Sequence, residues 1–531
     1  FCSGGQKVGY VGRMGNTLTY PDITVNKTGT YRLLLYYCSG EDRKVTLTVN
    51  GDTKYPLEKL NSGDFVHPTF VELEVDLKAG VNSIELGNIA AYAPDIDRIG
   101  ISEEPVREPE RKLGKNPIVT DIYTADPAPL VVGDTLYLYV THDEDELVNG
   151  FYTMYDWHCY STTDMVNWTD HGTIFAASAT GAAKWGNNSW APAVAYKEID
   201  GKMKFFVYFA NSGNGIGVVT SDSPVGPFVD PLGEPLISRQ TPNCATVSWL
   251  FDPAVFVDDD GCGYIYFGGG PGKSYAEPGT GRCAKLGADM ISIDGEAVTM
   301  DIPYLFEDSG INKIGDTYYY SYCVNWNVDE EGTKKFGFNN ADIAYMTSKN
   351  PLGPFNYQGV VLRNPGYYYG CYGNNHHCMF KFNGEWYIAY HTQIMEKMMG
   401  ISGGYRSTAI SKVTVAEDGS LPTLPSVDRH SLVQQKYLNP YERVEAETMA
   451  TMGGLSTTQA DEVSKKCGSG NMELCDIKSG SWLALYGVDF GNEGATKFTA
   501  AVKAAAGCEG ALQIRLDGLD GEAVGYLEIG E

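Results

Sequence analysis

One unit, a glycine-bearing turn that runs into an aromatic strand, recurs five times in this 531-residue chain. It reads VGDTLYLY from Val132, DGKMKFFVYF from Asp200, DGCGYIYF from Asp260, IGDTYYYSY from Ile314 and NGEWYIAYH from Asn383. The turn glycines are Gly133, Gly201, Gly261, Gly315 and Gly384, separated by 68, 60, 54 and 69 residues. Those periods are somewhat longer than the roughly 40 to 50 residues of familiar propeller blades. Five four-stranded blades around a channel fit the repeat best.

The same register gathers chemistry. Seven to nine residues before each turn glycine stand Asp126 in TADPAPL, Pro192 in WAPAV, Asp252 in FDPAVFVDDDG, Glu307 in FEDSGINKIGD, and His376. Each such segment is expected to be the innermost strand of its blade, so three carboxyls and an imidazole converge at the mouth of the channel. Like charges brought together are driven to different pKa values, and divergent values suit an acid and a base. The competing reading is that each aspartate caps a turn, as Asp commonly does before Pro. Asp258, Asp259 and Asp260, in a tight DDDG turn, fit that plainer role. Equivalent registers in three units favour chemistry for Asp126, Asp252 and Glu307.

A formal charge of -27 argues against nucleic acid or an anionic membrane surface as a partner, because both would repel the chain. A neutral polymer is compatible with that charge, and a merely acidic, solvated surface explains it equally well. No apolar run approaches the roughly 18 residues of a membrane span. The 62 glycines and 36 tyrosines, with few helical patterns, point to an all-β protein. The chain opens on Phe1, so a signal peptide and the first strand of the first domain are expected to have been removed, with a secreted protein as the consequence. Twelve cysteines lack both paired zinc spacing and the density of a disulfide scaffold. Cys2 with Cys38 is one candidate bridge, and Cys262 and Cys323 read as small strand residues.

Short alternating patterns across residues 1–104 (TYRLLLYYCSG, KVTLTVNGD, FVELEVDLKAG, VNSIELGN) describe a β-sandwich. Residues 105–115, charged and proline-bearing, read as a linker. The propeller is expected over 116–436. Within it TSDSPVGPF at Thr220 and TSKNPLGPF at Thr347 match closely, with STTDMVNW at Ser161 a looser copy, all at outer-strand turns. Residues 440–531 again read as sandwich strands, about two strands short of the roughly 100 residues such a module needs.

NPIVTDIYTADPAPLV, DWHCYSTTDMVNWTDHG, the SWAP tetrapeptide at Ser189, FDPAVFVDDDG and NNHHCMFKFNGEWYIAYH resemble the blade motifs of glycoside hydrolase family 43. CSGGQKVGYVG, TGTYRLLLYY, LKAGVNSIEL and APDIDRIGI resemble carbohydrate-binding modules of the family 35 or family 6 type. VEAE and SGSWLALYGVDFG resemble family 6. The expected architecture is thus a five-bladed propeller flanked by two jelly-roll modules, the second incomplete.

The resemblance implies an inverting glycosidase with no organic cofactor. Asp126 matches the general base, Glu307 the general acid and Asp252 the carboxylate that tunes the acid. An inverting pair stands about 6.5 to 9.5 Å apart so that water fits beneath the sugar. His376 matches an axial histidine near a calcium or a water cluster, a core histidine being the alternative. Arg406 in GGYRSTAI matches a sugar-contacting arginine, a surface salt bridge being the alternative. Trp190 and Trp249 flank inner strands, as sugar platforms or as core filler. Tyr367, Tyr368, Tyr369 and Tyr372 read as a rim loop, either a subsite or mere packing. Asp97, Glu445 and Glu447 resemble structural calcium ligands of the flanking modules; the first module is expected to lack its glutamate-bearing first strand, and a last module that stopped at Glu531 would be expected to lack its late acidic ligand. The expected activity is removal of α-L-arabinofuranosyl side chains from arabinoxylan. A β-D-xylosidase and a non-catalytic sugar-binding propeller are the alternatives.

Overall fold

The computed structural model describes the chain except for residues 1, 3–4, 13–14, 89–90, 106–113, 145–151, 428, 430–431, 462–469, 492–493, 505–506, 508 and 530–531. It divides into two units, Phe1–Arg111 and Lys112–Glu531. The expected linker at 105–115 falls mostly on 106–113, outside the described residues. Among the described residues no helix is long and apolar enough to cross a membrane.

The described residues of the first unit form seven strands: β1 (Thr17–Val25), β2 (Gly29–Cys38), β3 (Arg43–Val49), β4 (Thr53–Leu60), β5 (Thr69–Leu77), β6 (Gly80–Gly87) and β7 (Asp95–Ile101). They form two antiparallel sheets, ordered β1-β6-β3-β4 and β5-β2-β7. Strand side chains alternate between faces, and β2 buries Tyr31, Leu33 and Leu35 on one of them. These meet Leu47, Ile84 and Leu86 of the other sheet in one core, the sandwich expected from the alternation. The sulfurs of Cys2 and Cys38 approach to 3.8 Å as separate thiols.

From residue 123 to residue 413 the described residues of the second unit form five consecutive antiparallel sheets. The first contains β8 (Tyr123–Val132), β9 (Thr135–Asp143), β10 (Asp156–Thr162) and β11 (Trp168–Ala176). The second contains β12 (Pro192–Ile199), β13 (Lys202–Ala210) and β14 (Ile216–Ser221), and the third β15 (Ala254–Val257), β16 (Gly263–Phe267), β17 (Gly281–Lys285) and β18 (Val298–Met300). The fourth contains β19 (Leu305–Ile314), β20 (Thr317–Val324), β21 (Ile343–Ser348) and β22 (Asn356–Leu362), and the fifth β23 (His377–Phe382), β24 (Glu385–Thr392) and β25 (Ser407–Val413). In every sheet consecutive strands pair. The five repeated glycines all have positive φ, and each turns the first strand of its sheet into the second. First strands also neighbour one another: β8 meets β12, β12 meets β15, β15 meets β19, β19 meets β23, and β23 meets β8. The three T-S-x-x-like repeats follow the third strand of their sheets, as expected. Helices are few and short: α1 (Glu330–Phe336), α2 (Pro365–Tyr369) and α3 (Ile394–Met399).

Beyond the fifth sheet, β26 (Thr448–Met449) adds a strand to the outer edge of the first sheet by pairing with β11. The expected C-terminal sandwich takes the form of three two-stranded ladders. These are β27 (Thr451–Gly453) with β30 (Trp482–Ala484), β28 (Ser456–Gln459) with β29 (Met472–Cys475), and β31 (Gly510–Arg515) with β32 (Ala523–Ile529). None of their described residues is fully buried, so the ladders share no core of their own.

Candidate active site

The acids stand where strand pairing breaks. The β8–β9 register shifts between Ala125 and Ala128, and Asp126 there has φ 45°. Asp252, with φ 46°, precedes Pro253 at the entry to β15. The β19–β20 register shifts on both sides of Glu307, and Asp308 beside it has φ 66°. A bulge re-aims a side chain that regular pleating would send elsewhere, and aspartate tolerates left-handed backbone better than most residues. Local irregularity thus turns these carboxyls toward one place. All three are buried, at 4% exposure for Asp126, 5% for Asp252 and 9% for Glu307.

Asp126 is surrounded by donors. Arg406 Nη1 donates to its Oδ1 at 2.8 Å and Thr141 Oγ1 to its Oδ2 at 2.9 Å. Arg406 is itself buried and clamped by Asp143, with Nε to Oδ2 at 2.9 Å and Nη2 to Oδ1 at 2.6 Å. Its guanidinium lies over the Tyr152 ring, 4.5 Å from the centroid. The Asp126 backbone N–H donates to His391 Nδ1 at 3.2 Å, and His391 Nε2 faces the Asn374 carbonyl at 3.0 Å. His391 Nδ1 also lies 3.3 Å from Asp126 Oδ1, and burial lowers the pKa of the ring although the Asp126 carboxylate opposes that shift. Burial alone would raise the Asp126 pKa, but the Arg406 charge and nearby His376 outweigh it and hold the carboxyl well below the usual range.

Glu307 has the opposite surroundings. Among the described residues Asn374 Nδ2 donates to its Oε1 at 2.5 Å. Burial, and then the charges of Asp308 and Asp126, push its pKa up to about 8. Asp252 is also pushed well above the ordinary range by burial, Glu307, Asp126 and Asp308, although the Asp308 backbone N–H donates to its Oδ2 at 3.1 Å. His376 lies among these acids: Nδ1 is 3.7 Å from Asp126 and 3.8 Å from Asp252, and Nε2 is 3.1 Å from Asp308. Behind it His377 contacts Asp308 Oδ2 through Nδ1 and Ser321 Oγ through Nε2, the latter at 2.7 Å. One buried carboxyl is thus ionised and another protonated at neutral pH, the condition for paired base and acid catalysis.

The structure brings Asp126, Asp252, Glu307, His376 and Arg406 together. Arg406 forms a buried double ion pair, which removes the surface alternative. Trp249 packs edge-on against Phe251 and Phe306, the latter being the residue before Glu307. Trp190 is half-buried at the entry to β12, its backbone N–H donating to Ala210 O at 3.1 Å. Tyr367 and Tyr372 are exposed and line a cleft of about 450 Å³ with Asn339, Asn340, Asp342 and Asn364. Asn364 Nδ2 donates to Gly373 O, next to Asn374, so the cleft adjoins the Glu307 side of the site. Asp143, Asp308, Asn374, His377 and His391 were not singled out by sequence. The second acid in FEDSG and the second histidine in NNHHC were the signals available.

The metal-ligand expectations fall at separate places. Asp97 pairs with Arg98 at 3.3 Å in the first unit. Glu445 is exposed and pairs with Arg443 at 3.0 Å, whereas Glu447 is buried.

Comparison with known proteins identifies the family. Residues 114–421 match the model for glycosyl hydrolases family 43, and 445–531 match carbohydrate binding module (family 6). An arabinoxylan arabinofuranohydrolase of Paenibacillus polymyxa is 46% identical over 435 residues, covering 78% of this chain and 67% of that protein. One from Bacillus subtilis (strain 168) is 45% identical over 435 residues, covering 78% and 83%. A crystal structure of a family 43 arabinoxylan arabinofuranohydrolase from Bacillus subtilis, in complex with cellotetraose, aligns with a TM-score of 0.70 at 42% identity, covering 78% of this chain and 89% of that one. With its opposed carboxyls inside the matched segment, the chain belongs to glycosyl hydrolases family 43 and carries a family 6 carbohydrate-binding module.

Proposed function

We propose that this glycoside hydrolase removes α-L-arabinofuranosyl side chains from arabinoxylan-type hemicellulose, with inversion at the anomeric carbon. The observation that carries the reading is the opposed protonation of Asp126 and Glu307. The substrate class is supported by what the two bacterial relatives are called. In a single displacement Asp126 takes a proton from water as its oxygen attacks the anomeric carbon, and Glu307 gives its proton to the departing glycosidic oxygen. The sugar leaves with the water oxygen, Asp126 ends protonated and Glu307 ionised, and exchange with solvent resets the pair. Asp252 is assigned the supporting place beside the acid, the Glu307 charge being one of those that raise its pKa. Arg406 keeps Asp126 ionised.

In this reading the five sheets are blades of a propeller, supported by the cyclic order in which their first strands meet. Unit one serves as a second sugar-binding module, and the enzyme acts outside the cell, where a polymer is met. No organic cofactor is needed. Calcium is proposed as a structural ion, near His376, near Asp97, or at Glu445 and Glu447. The last place fits a hard cation best, since burial, Glu445 and Asp170 push the Glu447 carboxyl up to about 7.

The test is product analysis. Arabinoxylan should yield free arabinose, and an aryl α-L-arabinofuranoside should turn over faster than an aryl β-D-xyloside. Xylose as the main product would make the enzyme a xylosidase, and no turnover of either glycoside would leave a binding protein.

A further inference from the structure

Outside the carboxyl cluster, one group of side chains has the donor set of a metal centre. His142 on β9 and Asp156 and His158 on β10 each bring a ligand atom within 4.8 Å of the others. The ladder explains why. Trp157 stands opposite Thr141, which puts His142 across from Asp156, and His158 lies two residues further along the same face. His142 Nδ1 is 3.1 Å from Asp156 Oδ1, and His158 Nε2 is 3.8 Å from the same oxygen. The two rings meet edge to face at 5.1 Å. Ligands held about 2.0–2.2 Å from a tetrahedral ion lie roughly 3.3–3.6 Å from one another, so atoms within 4.8 Å of one another need an adjustment of about an ångström or less to share one.

Two further features suit an ion. Thr173 Oγ1 on β11 donates to Asp156 Oδ2 at 3.0 Å, which orients the carboxylate and leaves Oδ1 toward the histidines, as outer-shell donors do in metal sites. Thr173 Oγ1 also lies 3.3 Å from His158 Nε2, a contact that the ion would displace. The side chains of His142, Asp156 and His158 are 20%, 22% and 16% exposed, so the cluster is open to water on one side. Glu144 Oε1, 3.9 Å from His142 Nδ1, stands at its edge.

We infer that His142, Asp156 and His158 form a binding site for a borderline divalent ion such as Zn²⁺, with a coordination position left to water. Two imidazoles and one carboxylate select Zn²⁺ over Ca²⁺, which prefers six or more oxygens. The ion ties β9 to β10 one residue from Asp143, whose carboxylate clamps Arg406, and so stiffens the support of the Asp126 side of the site. Its ligands must be deprotonated, so protons compete with it.

The experiment is calorimetric titration of chelator-stripped full-length protein with Zn²⁺ in excess Ca²⁺, which masks all-oxygen sites. Wild type should bind one ion and gain thermal stability, and His142→Gln/His158→Gln should bind at least tenfold more weakly with no gain. If that double variant does not fold by circular dichroism, Asp156→Asn and His158→Gln singly must show the tenfold loss. A Co²⁺ spectrum should lack the thiolate charge-transfer band that binding to cysteines produces. No Zn²⁺ binding by wild type, equal binding by the folded variants, or a dominant thiolate band would overturn the assignment.

Discussion

Asp126 and Glu307 are both buried acids, yet burial ends differently for each because only Asp126 has a guanidinium at 2.8 Å. Replacing Arg406 would leave Asp126 and Asp143 as unpaired buried charges, so the arginine belongs to the buried cluster and not to the surface. Glu307 instead keeps a proton against a neighbouring Asp308. The acid must be protonated to work, so kcat/KM should fall on the alkaline side around its value of about 8. Asp308→Asn removes a negative neighbour, lowers the Glu307 pKa, and should move that alkaline limb to lower pH. A pH profile measures it directly. An unmoved limb, or one moved upward, would contradict the charge assignment.

At the level of the strands, interruptions of pairing at Asp126 and Glu307 and the entry to β15 at Asp252 place the acids, and close packing holds these points still. Gly270 N–H donates to Phe306 O at 2.8 Å, and a Cβ on Gly269 would lie 2.3 Å from that same carbonyl. Gly269→Ala must therefore push the backbone one residue before Glu307. We expect at least a tenfold loss of kcat with a lowered melting temperature, and wild-type kinetics in that variant would show that the Phe306 backbone does not position the acid. The five turns were legible in sequence because a glycine at positive φ followed by alternating aromatics is a local signal. Asp126, Asp252 and Glu307 were legible because they share a register with those turns. Asp143, Asn374 and His391 were not, since their roles arise from contacts between strands far apart in sequence, such as the 263-residue separation of Asp143 and Arg406. Asp308 was hidden for another reason: without the bulge it would face away from Glu307.

Across the whole molecule, the family 6 segment covers the outer edge of the first sheet. β26 pairs with β11, Thr457 Oγ1 donates to Asp170 Oδ2 at 2.6 Å, and Asn167 exchanges hydrogen bonds with the Tyr486 backbone at 2.8 Å in both directions. An uncovered edge strand invites pairing with other chains. Deleting residues 440–531 should therefore lower the melting temperature by several degrees and promote association, visible by light scattering, while the rate on a small aryl glycoside largely survives. Unchanged stability after the deletion would mean the segment is only tethered. That none of the described residues of its ladders is fully buried was not legible from strand patterns, which report alternation but not whether two sheets face each other.

The most direct test of the account compares Asp126→Asn and Glu307→Gln on arabinoxylan and on an arabinofuranoside with an activated aryl leaving group. General acid or base assistance is worth about 10²- to 10⁴-fold, so both variants should lose at least that much on the polymer. An activated leaving group needs little protonation. Glu307→Gln should therefore recover most of its rate on the aryl substrate, whereas Asp126→Asn should stay inactive. Equal losses on both substrates, or recovery by Asp126→Asn instead, would contradict the assignment of Glu307 as acid and Asp126 as base.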